Sequence, residues 1–274
     1  MTLSPPQVRR LLAEHGVRPS RVLGQNFVAD PNTVRKVAHL AGVGPGDRVV
    51  EIGPGLGSLT LALAETGAGV TAVEADPRLV RALRSVVRDT VAVVEGDAMS
   101  LDWGELLGPV TGWVLVANLP YSIATPLIAD LLDEVPVVER MLVMVQKEVG
   151  VRLAAPPGDP AYGAVSVKVA YWAEASLAGK VPASVFVPRP NVESVLVRIC
   201  RRPAPAVDPE VVSAEDLFAL VRAGFAGRRK MLRRALAGRV PPGAFTAAGV
   251  SPESRAEDLG VEEWGRLAAA TFER

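Results

Sequence analysis

The stretch that decides the fold is Arg48-Val-Val-Glu-Ile52, followed directly by Gly53-Pro54-Gly55-Leu56-Gly57. The first five residues are largely apolar and predict a buried strand, and the apolar residues 58–66 predict a helix. Glycines between a strand and a helix let a ligand approach the backbone closely at the carboxyl edge of a sheet. The stretch therefore predicts the first strand–loop–helix unit of an α/β fold, with a binding site at its loop.

Further predicted strands alternate with helical patterns along the chain. They cover residues 70–73, 91–94, 113–117, 141–145, 165–172 and 195–199. This alternation is typical of a Rossmann-like, doubly wound parallel sheet, here with an added antiparallel edge. Beyond Pro203 and Pro205 the pattern is helical. We therefore predict an α/β domain over residues 1–204 and a small all-helical domain over residues 205–274.

Two acidic residues follow the next two predicted strands. Glu74 lies 21 residues after Gly53, and Asp97 follows the strand at 91–94. At these positions Glu74 can hold both hydroxyls of a ribose, and Asp97 can accept a hydrogen bond from an adenine amino group. Adenosine with a short charged tail fits this pattern as well as a dinucleotide does. An ordinary tight turn with two solvated strand ends is the alternative interpretation, and the combined spacing disfavours it.

The fourth predicted strand ends in Asn118-Leu119-Pro120-Tyr121. Pro120 cannot continue a central strand, and it restricts Leu119 to extended geometry. The resulting stiff corner has a carboxamide before it and an aromatic ring after it. A flat ring can stack on Tyr121 while its amino group donates to the side-chain oxygen of Asn118. Because a dehydrogenase has no need of this corner, the pattern favours methyl transfer to an exocyclic amine, driven by positioning and electrostatic stabilisation.

A second rigid loop covers residues 185–194 and contains Pro188 and Pro190. Its aromatic residue, Phe186, can form the other face of a clamp around the stacked ring. Taken without the corner at Asn118, the same residue would be interpreted as an anchor in the apolar core. We therefore predict Phe186 as a catalytic residue on the strength of the two loops together.

Charge is distributed unevenly in the C-terminal region, although the formal net charge of the chain is zero. Residues 222–239 carry seven positive charges and no acid, whereas residues 251–274 carry six acids and three bases. A basic cluster of this kind suits a phosphate backbone, and a solvated helix face is the alternative. The predicted RNA-binding residues are Arg228, Arg229, Lys230, Arg233 and Arg234.

Composition disfavours several other classes of protein. Cys200 is the only cysteine, which excludes an internal disulfide and indicates a reducing, cytoplasmic location. The two histidines, His15 and His39, form no cluster with cysteine, so no metal site is expected. The N-terminus lacks the apolar core of a signal peptide, and prolines interrupt the longest uncharged stretch, at 108–129. We expect no membrane partner and a monomer.

Together these motifs closely resemble the KsgA-type rRNA adenine N6,N6-dimethyltransferases over nearly the whole chain. The segments that carry the resemblance are Leu23-Gly-Gln-Asn-Phe27, Glu51–Gly57, Asn118–Tyr121, Phe186–Ser194 and Phe225-Ala-Gly-Arg-Arg-Lys230. The resemblance implies S-adenosylmethionine as the methyl donor. It also implies two adjacent adenines in the 3′-terminal hairpin of 16S rRNA as acceptors, and a part in small-subunit biogenesis.

The same resemblance implies roles for individual residues. It places the methionine end of the donor near Gln25, Asn26 and Val28, the ribose at Glu74 and the adenine at Asp97. Many relatives carry leucine where this chain has Val28, which is a conservative change. The predicted cofactor-binding residues are Gln25, Asn26, Val28, Gly53, Gly55, Glu74, Asp97 and Asn118. The predicted catalytic residues are Asn118, Leu119, Pro120, Tyr121 and Phe186.

Two other functions share much of this pattern. Erm-type methyltransferases of large-subunit rRNA carry the first four motifs, but the Arg-Arg-Lys block after Phe225 favours the KsgA type. A non-catalytic assembly factor on the same fold would bind RNA without methylating it. The intact Asn118 and Tyr121 argue against that third interpretation, although binding and catalysis can coexist.

Overall fold

The computed structural model of the protein describes residues 2–19, 25–227 and 229–272. The chain divides into two compact units. The first contains Met1–Gly150 and Ser176–Cys200, and the second contains Val151–Ala175 and Arg201–Arg274. The helical unit therefore includes residues 151–175, which the predicted boundary at 204/205 assigned to the α/β domain.

The strands of the described chain lie in the α/β unit or reach into it. They are β1 Phe27–Val28, β2 Arg48–Ile52, β3 Gly69–Glu74, β4 Val91–Glu95, β5 Trp113–Asn118, β6 Val138–Gln146, β7 Ala173–Val181, β8 Phe186–Val187 and β9 Ser194–Arg201. The α-helices alternate with the strands and then continue alone. They are α1 Pro5–Glu14, α2 Pro31–Ala41, α3 Ser58–Ala64, α4 Pro77–Val86, α5 Trp103–Leu107, α6 Ala124–Glu134, α7 Lys147–Leu153, α8 Ala164–Trp172, α9 Ala214–Ala226, α10 Leu232–Ala235, α11 Pro242–Ala248 and α12 Val261–Phe272.

Seven strands form one sheet in the order β4-β3-β2-β5-β6-β9-β7. The strands from β4 to β6 pair in parallel, and β9 runs antiparallel to β6. The predicted doubly wound sheet with an antiparallel edge is therefore confirmed. The strand order reverses between β2 and β5, since β3 and β4 extend one way and β6 the other. In such sheets ligands bind at the carboxyl ends of the strands beside this switch point.

The central strands are buried on both faces, as parallel sheets require. Val49 of β2, and Val114 and Val116 of β5, are at most 1% exposed and belong to one apolar cluster with residues of α2 and α3. Helix α2 begins at a side-chain cap, because the Asp30 carboxylate accepts a hydrogen bond from the backbone N–H of Thr33. These contacts fix the sheet edge from which the glycine loop leaves.

A small two-stranded sheet brings a distant segment to this edge. Strands β1 and β8 pair antiparallel, with Phe27 opposite Val187 and Val28 opposite Phe186. The N–H of Ala29 extends the pairing by donating to the carbonyl of Val185 at 2.8 Å. Residues 25–28, just before and within β1, are thereby held near the glycine loop.

The helical unit has its own apolar core. Trp264 of α12 is its largest fully buried side chain, and it packs with Leu217, Leu232 and Leu267, which are also 0% exposed. Gly224 of α9 is required at this contact, because a Cβ there would lie 2.5 Å from the Cη2 atom of the Trp264 ring. Helices α9 and α12 can therefore approach closely only while residue 224 has no side chain.

The predicted strand at 165–172 is wrong, because these residues form helix α8. Its β-branched residues recur at positions that fit either a strand or one face of a helix. Tertiary packing decides: Val167 and Tyr171, four residues apart, are both fully buried in the helical core. The Ser166 hydroxyl also caps the first turn by accepting from the N–H of Gly163 at 3.1 Å.

The basic segment at 222–239 is not one continuous helix. Helix α9 ends at Ala226 and α10 begins at Leu232. A turn separates them, in which the N–H of Lys230 donates to the carbonyl of Gly227 at 2.7 Å. A Cβ at Gly227 would lie 3.1 Å from the Cβ of Ala235, so the small residue lets the turn fold back tightly.

We expect Gly224→Ala to destabilise the protein by about 1–3 kcal/mol, because the added methyl group overpacks the contact with Trp264. The urea midpoint of unfolding measures this effect. Gly243→Ala is the matched control, since a Cβ at this exposed position of α11 meets nothing within 4 Å. Equal midpoints for the two variants would contradict the packing argument.

Candidate active site

A cavity of about 730 Å³ opens at the carboxyl ends of β2, β3 and β5, beside the switch point of the sheet. Its size lies in the range of small-molecule sites. The structure brings all the predicted cofactor-binding residues to its wall, although their binding role stays a prediction. They are Gln25, Asn26, Val28, Gly53, Gly55, Glu74, Asp97 and Asn118.

The glycine loop is shaped by two left-handed glycines and by the close approach of one of them to Phe27. Gly53 and Gly55 have φ angles of +66° and +59°, in the left-handed region that disfavours other residues. A Cβ at Gly55 would lie 2.8 Å from the ring of Phe27, and a Cβ at Gly53 would lie 3.6 Å from the Pro120 ring. The loop is therefore confined between β1 and the corner after β5, with its backbone facing the cavity.

Glu74 ends β3 and is held by the loops on both sides of it. Its carboxylate accepts hydrogen bonds from the N–H groups of Gly55 and Asp76, each at 3.0 Å. Burial raises the pKa of Glu74 above its ordinary value, and these backbone donors oppose the rise. The side chain is only 7% exposed and lines the cavity, so it is a fixed acceptor at the position predicted for the ribose.

Asp97 lines the cavity from the loop after β4. One of its carboxylate oxygens accepts from the N–H of Met99 at 3.0 Å, which orients the side chain within its turn. The residue is exposed, unlike Glu74. The two carboxylates thus differ in environment although both follow parallel strands.

The corner after β5 holds its carboxamide in a defined orientation. The Asn118 Nδ2 group donates to the carbonyl oxygen of Asn26 at 3.0 Å, across the cavity wall. This leaves the Oδ1 atom as the acceptor of that amide. Pro120 also lines the cavity, whereas Leu119 is 1% exposed and its N–H donates to the carbonyl of Met144. Leu119 therefore anchors the corner to β6 through its backbone N–H, while its side chain is buried in the protein.

The two predicted stacking rings lie in different environments. Tyr121 is partly buried, and its hydroxyl lies 3.2 Å from the hydroxyl of Ser194 at the start of β9. Phe186 is 3% exposed and packs in the apolar core opposite Val28. The structure does not bring Phe186 to the cavity wall. Pairing of β8 with β1 decides this placement.

Sequence reasoning missed Glu51 as a site residue. It lies on β2, is 1% exposed and lines the cavity. Burial raises its pKa to about 8, the Thr60 hydroxyl counteracts the rise, and the negative charge of Glu74 adds to it. The signal was present, because a carboxyl group inside an apolar strand has to be explained by a partner or a ligand.

Asp76 and Arg78 were also missed. They lie at the start of α4 and line the cavity. The Arg78 guanidinium lies 2.8 Å from the Asp76 carboxylate and lowers the pKa of that carboxyl below its ordinary value. The Gln25 side chain also hydrogen-bonds to Asp76, which ties the segment before β1 to the cavity. A helix cap before Pro77 was the available signal.

The predicted RNA-binding residues lie in the helical unit. Arg229 and Lys230 are exposed in the turn after α9, and Arg233 and Arg234 are exposed on α10. Leu232 and Leu236 beside them are buried. Leu23, Gly24 and Arg228 lie outside the described residues.

Comparison with known proteins identifies the family of the chain. The family model "Ribosomal RNA adenine dimethylase" matches residues 18–271. The ribosomal RNA small subunit methyltransferase A of Thermobifida fusca is 50% identical, over 97% of this chain and 95% of that protein. The protein of the same name from Streptomyces coelicolor is 49% identical, over 97% and 96%.

Solved structures show the same fold. The crystal structure of the 23S rRNA methyltransferase ErmE superposes with a TM-score of 0.71 at 28% identity, covering 90% of this chain and 99% of that one. A dimethyladenosine transferase from Plasmodium falciparum has a TM-score of 0.71 at 23% identity, covering 87% and 94%. The match over residues 18–271 and the 50% identity to a named relative show that this chain belongs to the ribosomal RNA adenine dimethylase family.

Proposed function

We propose that this protein transfers methyl groups from S-adenosylmethionine to N6 of two adjacent adenines in the 3′-terminal hairpin of 16S rRNA, within the assembling small subunit. The Asn118 carboxamide is the observation that carries the proposal. Its NH2 group is engaged by the Asn26 carbonyl at 3.0 Å, so Oδ1 is the atom that can accept from an amine. Membership of the adenine dimethylase family supports adenine as the base.

The corner acts by orienting the acceptor nitrogen. The lone pair of an exocyclic amine is delocalised into its ring, and carbonyl acceptors favour its pyramidal, nucleophilic form. Asn118 Oδ1 and the rigid backbone before Pro120 supply such acceptors, while Tyr121 offers a ring for stacking. The transfer is then promoted by positioning and electrostatics, without a strong base. Phe186, in its buried position, supports the strand that holds Val28.

The cavity suits S-adenosylmethionine as the donor. Glu74 provides anchored acceptors for ribose hydroxyls and Asp97 an acceptor for the adenine amine. Gly53 and Gly55 have no Cβ atoms, so a ligand can approach the backbone at these two residues. Glu51 Oε2 is buried at this wall and has no hydrogen-bond partner among the described residues, which fits a site built for a ligand. When bound, the cofactor supplies an electrophilic methyl group on its sulfonium.

The RNA would be held chiefly by the exposed cations around α10. Arg229, Lys230, Arg233 and Arg234 suit phosphate contacts, and their anchoring by buried leucines supports a fixed basic surface. Arg228 belongs to the same proposed set. Such contacts add affinity and position the RNA.

We further propose that the protein acts as a monomer in the cytoplasm and needs no metal. No helix in the described ranges has the length and apolarity needed to span a membrane. The relatives that share half of their residues with this chain are named for the small ribosomal subunit. The structural likeness to ErmE makes transfer to 23S rRNA the second candidate.

We expect labelled S-adenosylmethionine to yield dimethyladenine in undermethylated small subunits and not in 23S rRNA. Mass spectrometry of the digested RNA identifies the modified base and the ribosomal RNA that carries it. Label confined to 23S rRNA would assign the protein to the resistance-type relatives. Binding of the small subunit without incorporation of label would refute the proposed transfer and support the interpretation as a non-catalytic assembly factor.

We expect Asn118→Ala to lower kcat by at least about 100-fold, because the acceptor for the amine is removed. RNA affinity should fall only modestly, as measured by filter binding. Asn32→Ala, at an exposed position of α2, is the control and should keep full activity. Retained turnover in Asn118→Ala would refute the assigned role of the carboxamide.

We expect the double variant Arg229→Gln/Lys230→Gln to bind RNA less tightly. The slope of log affinity against log salt should shrink by about 0.7–0.9 for each phosphate that is no longer neutralised. The same substitutions at Arg35 and Lys36, an exposed Arg-Lys pair on α2, are the matched control. An unchanged slope in the first variant would locate the RNA surface elsewhere, while cofactor affinity should stay constant in both.

A further inference from the structure

Tyr121 belongs to the corner after β5, and the turn around it fixes its backbone. The carbonyl of Pro120 accepts hydrogen bonds from the N–H groups of Ile123 and Ala124, each at 3.2 Å. Asn118 and Pro120 line the cavity proposed for the donor, whereas Tyr121 is not part of that wall. A fixed backbone still leaves the two side-chain torsions of a tyrosine to be set by other contacts. The direction of this ring therefore depends on what holds its far end.

A single hydrogen bond holds the far end of the ring. The hydroxyl groups of Tyr121 and Ser194 lie 3.2 Å apart, and either of them can be the donor. Within residues 2–19, 25–227 and 229–272 this is the one hydrogen bond that the Tyr121 hydroxyl makes. Ser194 is 1% exposed, so its hydroxyl is shielded from water and depends on a partner in the protein.

The Ser194 hydroxyl is fixed in turn by the sheet. Ser194 begins β9 and lies opposite Gln146 of β6 in the antiparallel pairing. The corner is tied to the same strand, because the N–H of Leu119 donates to the carbonyl of Met144 at 3.0 Å. The start of the corner and the hydroxyl that holds the Tyr121 ring are thus attached to β6 two residues apart.

We propose that Ser194 is a positioning residue for methyl transfer: its hydroxyl holds the Tyr121 ring in the plane on which the acceptor base stacks. The inference rests on the proposed function. A phenylalanine would offer the same stacking face, so the hydroxyl of Tyr121 matters through its partner. A base stacked on a tilted ring would present its amine at the wrong distance from Asn118 Oδ1, and errors of about 1 Å slow positioned reactions severely.

Single-turnover transfer to undermethylated small subunits tests this role. We expect Ser194→Ala and Tyr121→Phe each to lower the rate constant of transfer by about 2- to 10-fold, the value of one neutral hydrogen bond. The Kd of S-adenosylmethionine should not change, since neither residue lines the cavity proposed for the donor. The double variant should be no slower than either single variant, because all three lack the same bond.

Ser166→Ala is the matched control. Ser166 is 2% exposed, and its hydroxyl donates to the carbonyl of Arg152 within the helical unit. Loss of that bond should lower the urea midpoint of unfolding while the transfer rate stays that of the wild type. The same pattern in Ser194→Ala, lower stability with an unchanged rate, would show a purely structural role and overturn the inference.

The order of the ring provides a readout that needs no activity. The chain contains three tyrosines, and Tyr162 and Tyr171 are 1% and 0% exposed. NMR relaxation of isotope-labelled tyrosine rings therefore compares one partly buried ring with two buried ones in the same sample, and Tyr121→Phe assigns the Tyr121 signal. In Ser194→Ala we expect the order parameter of the Tyr121 ring to fall while those of the other two rings stay unchanged.

Each remaining outcome decides a separate point. Wild-type rates in both single variants would overturn the inference while leaving the proposed function intact. A much larger loss in Tyr121→Phe than in Ser194→Ala would assign the hydroxyl to the substrate and overturn it as well, as would an unchanged order parameter in Ser194→Ala. Absence of transfer by the wild type would instead refute the proposed function, and the inference would fall with it even if the ring is ordered.

Discussion

The hydrogen bond from Asn118 Nδ2 to the carbonyl of Asn26 is the interaction on which the candidate site depends. It joins the end of β5 to the segment before β1, which lies 92 residues earlier in the chain. The same bond joins two parts of the cavity wall and leaves Oδ1 as the atom of the amide that can accept a hydrogen bond. An isolated carboxamide can rotate to present either its donor or its acceptor end. Here the backbone carbonyl makes that choice, so the local geometry at Asn26 sets the orientation of the Asn118 amide.

A second constraint is electrostatic. Glu51 and Glu74 line one cavity at the ends of neighbouring strands, and burial raises the pKa of both. Backbone N–H groups stabilise Glu74, whereas Glu51 has one oxygen without a partner in the described chain. Two carboxyl groups in one poorly solvated space do not ionise independently. One carboxyl group of the wall is therefore held by backbone donors, whereas the other keeps an oxygen that a ligand can complete.

Much of this arrangement is local in the sequence and could be predicted from it. Gly53, Glu74, Asp97 and Asn118 each follow or end a strand, and parallel topology brings strand ends to one edge. What failed depends on distant contacts. Residues 165–172 fit a strand or a helix face, and packing against α9 and α12 selects the helix. The burial of Phe186 follows from the pairing of β8 with β1. Glu51 was overlooked, although its position within a strand predicted to be buried could have marked it.

The likeness to ErmE has a consequence for how RNA is chosen. That protein, named a 23S rRNA methyltransferase, shares the fold over 90% of this chain, whereas relatives that are 50% and 49% identical are named for the small subunit. The cavity proposed for the donor contains no feature that would select one RNA over the other. The exposed cations beside α10 suit phosphates, which carry no sequence information directly. Under the proposed function, discrimination between the two RNAs therefore depends on the shape of the folded RNA, and the residues responsible have to be sought on the surface around the cavity.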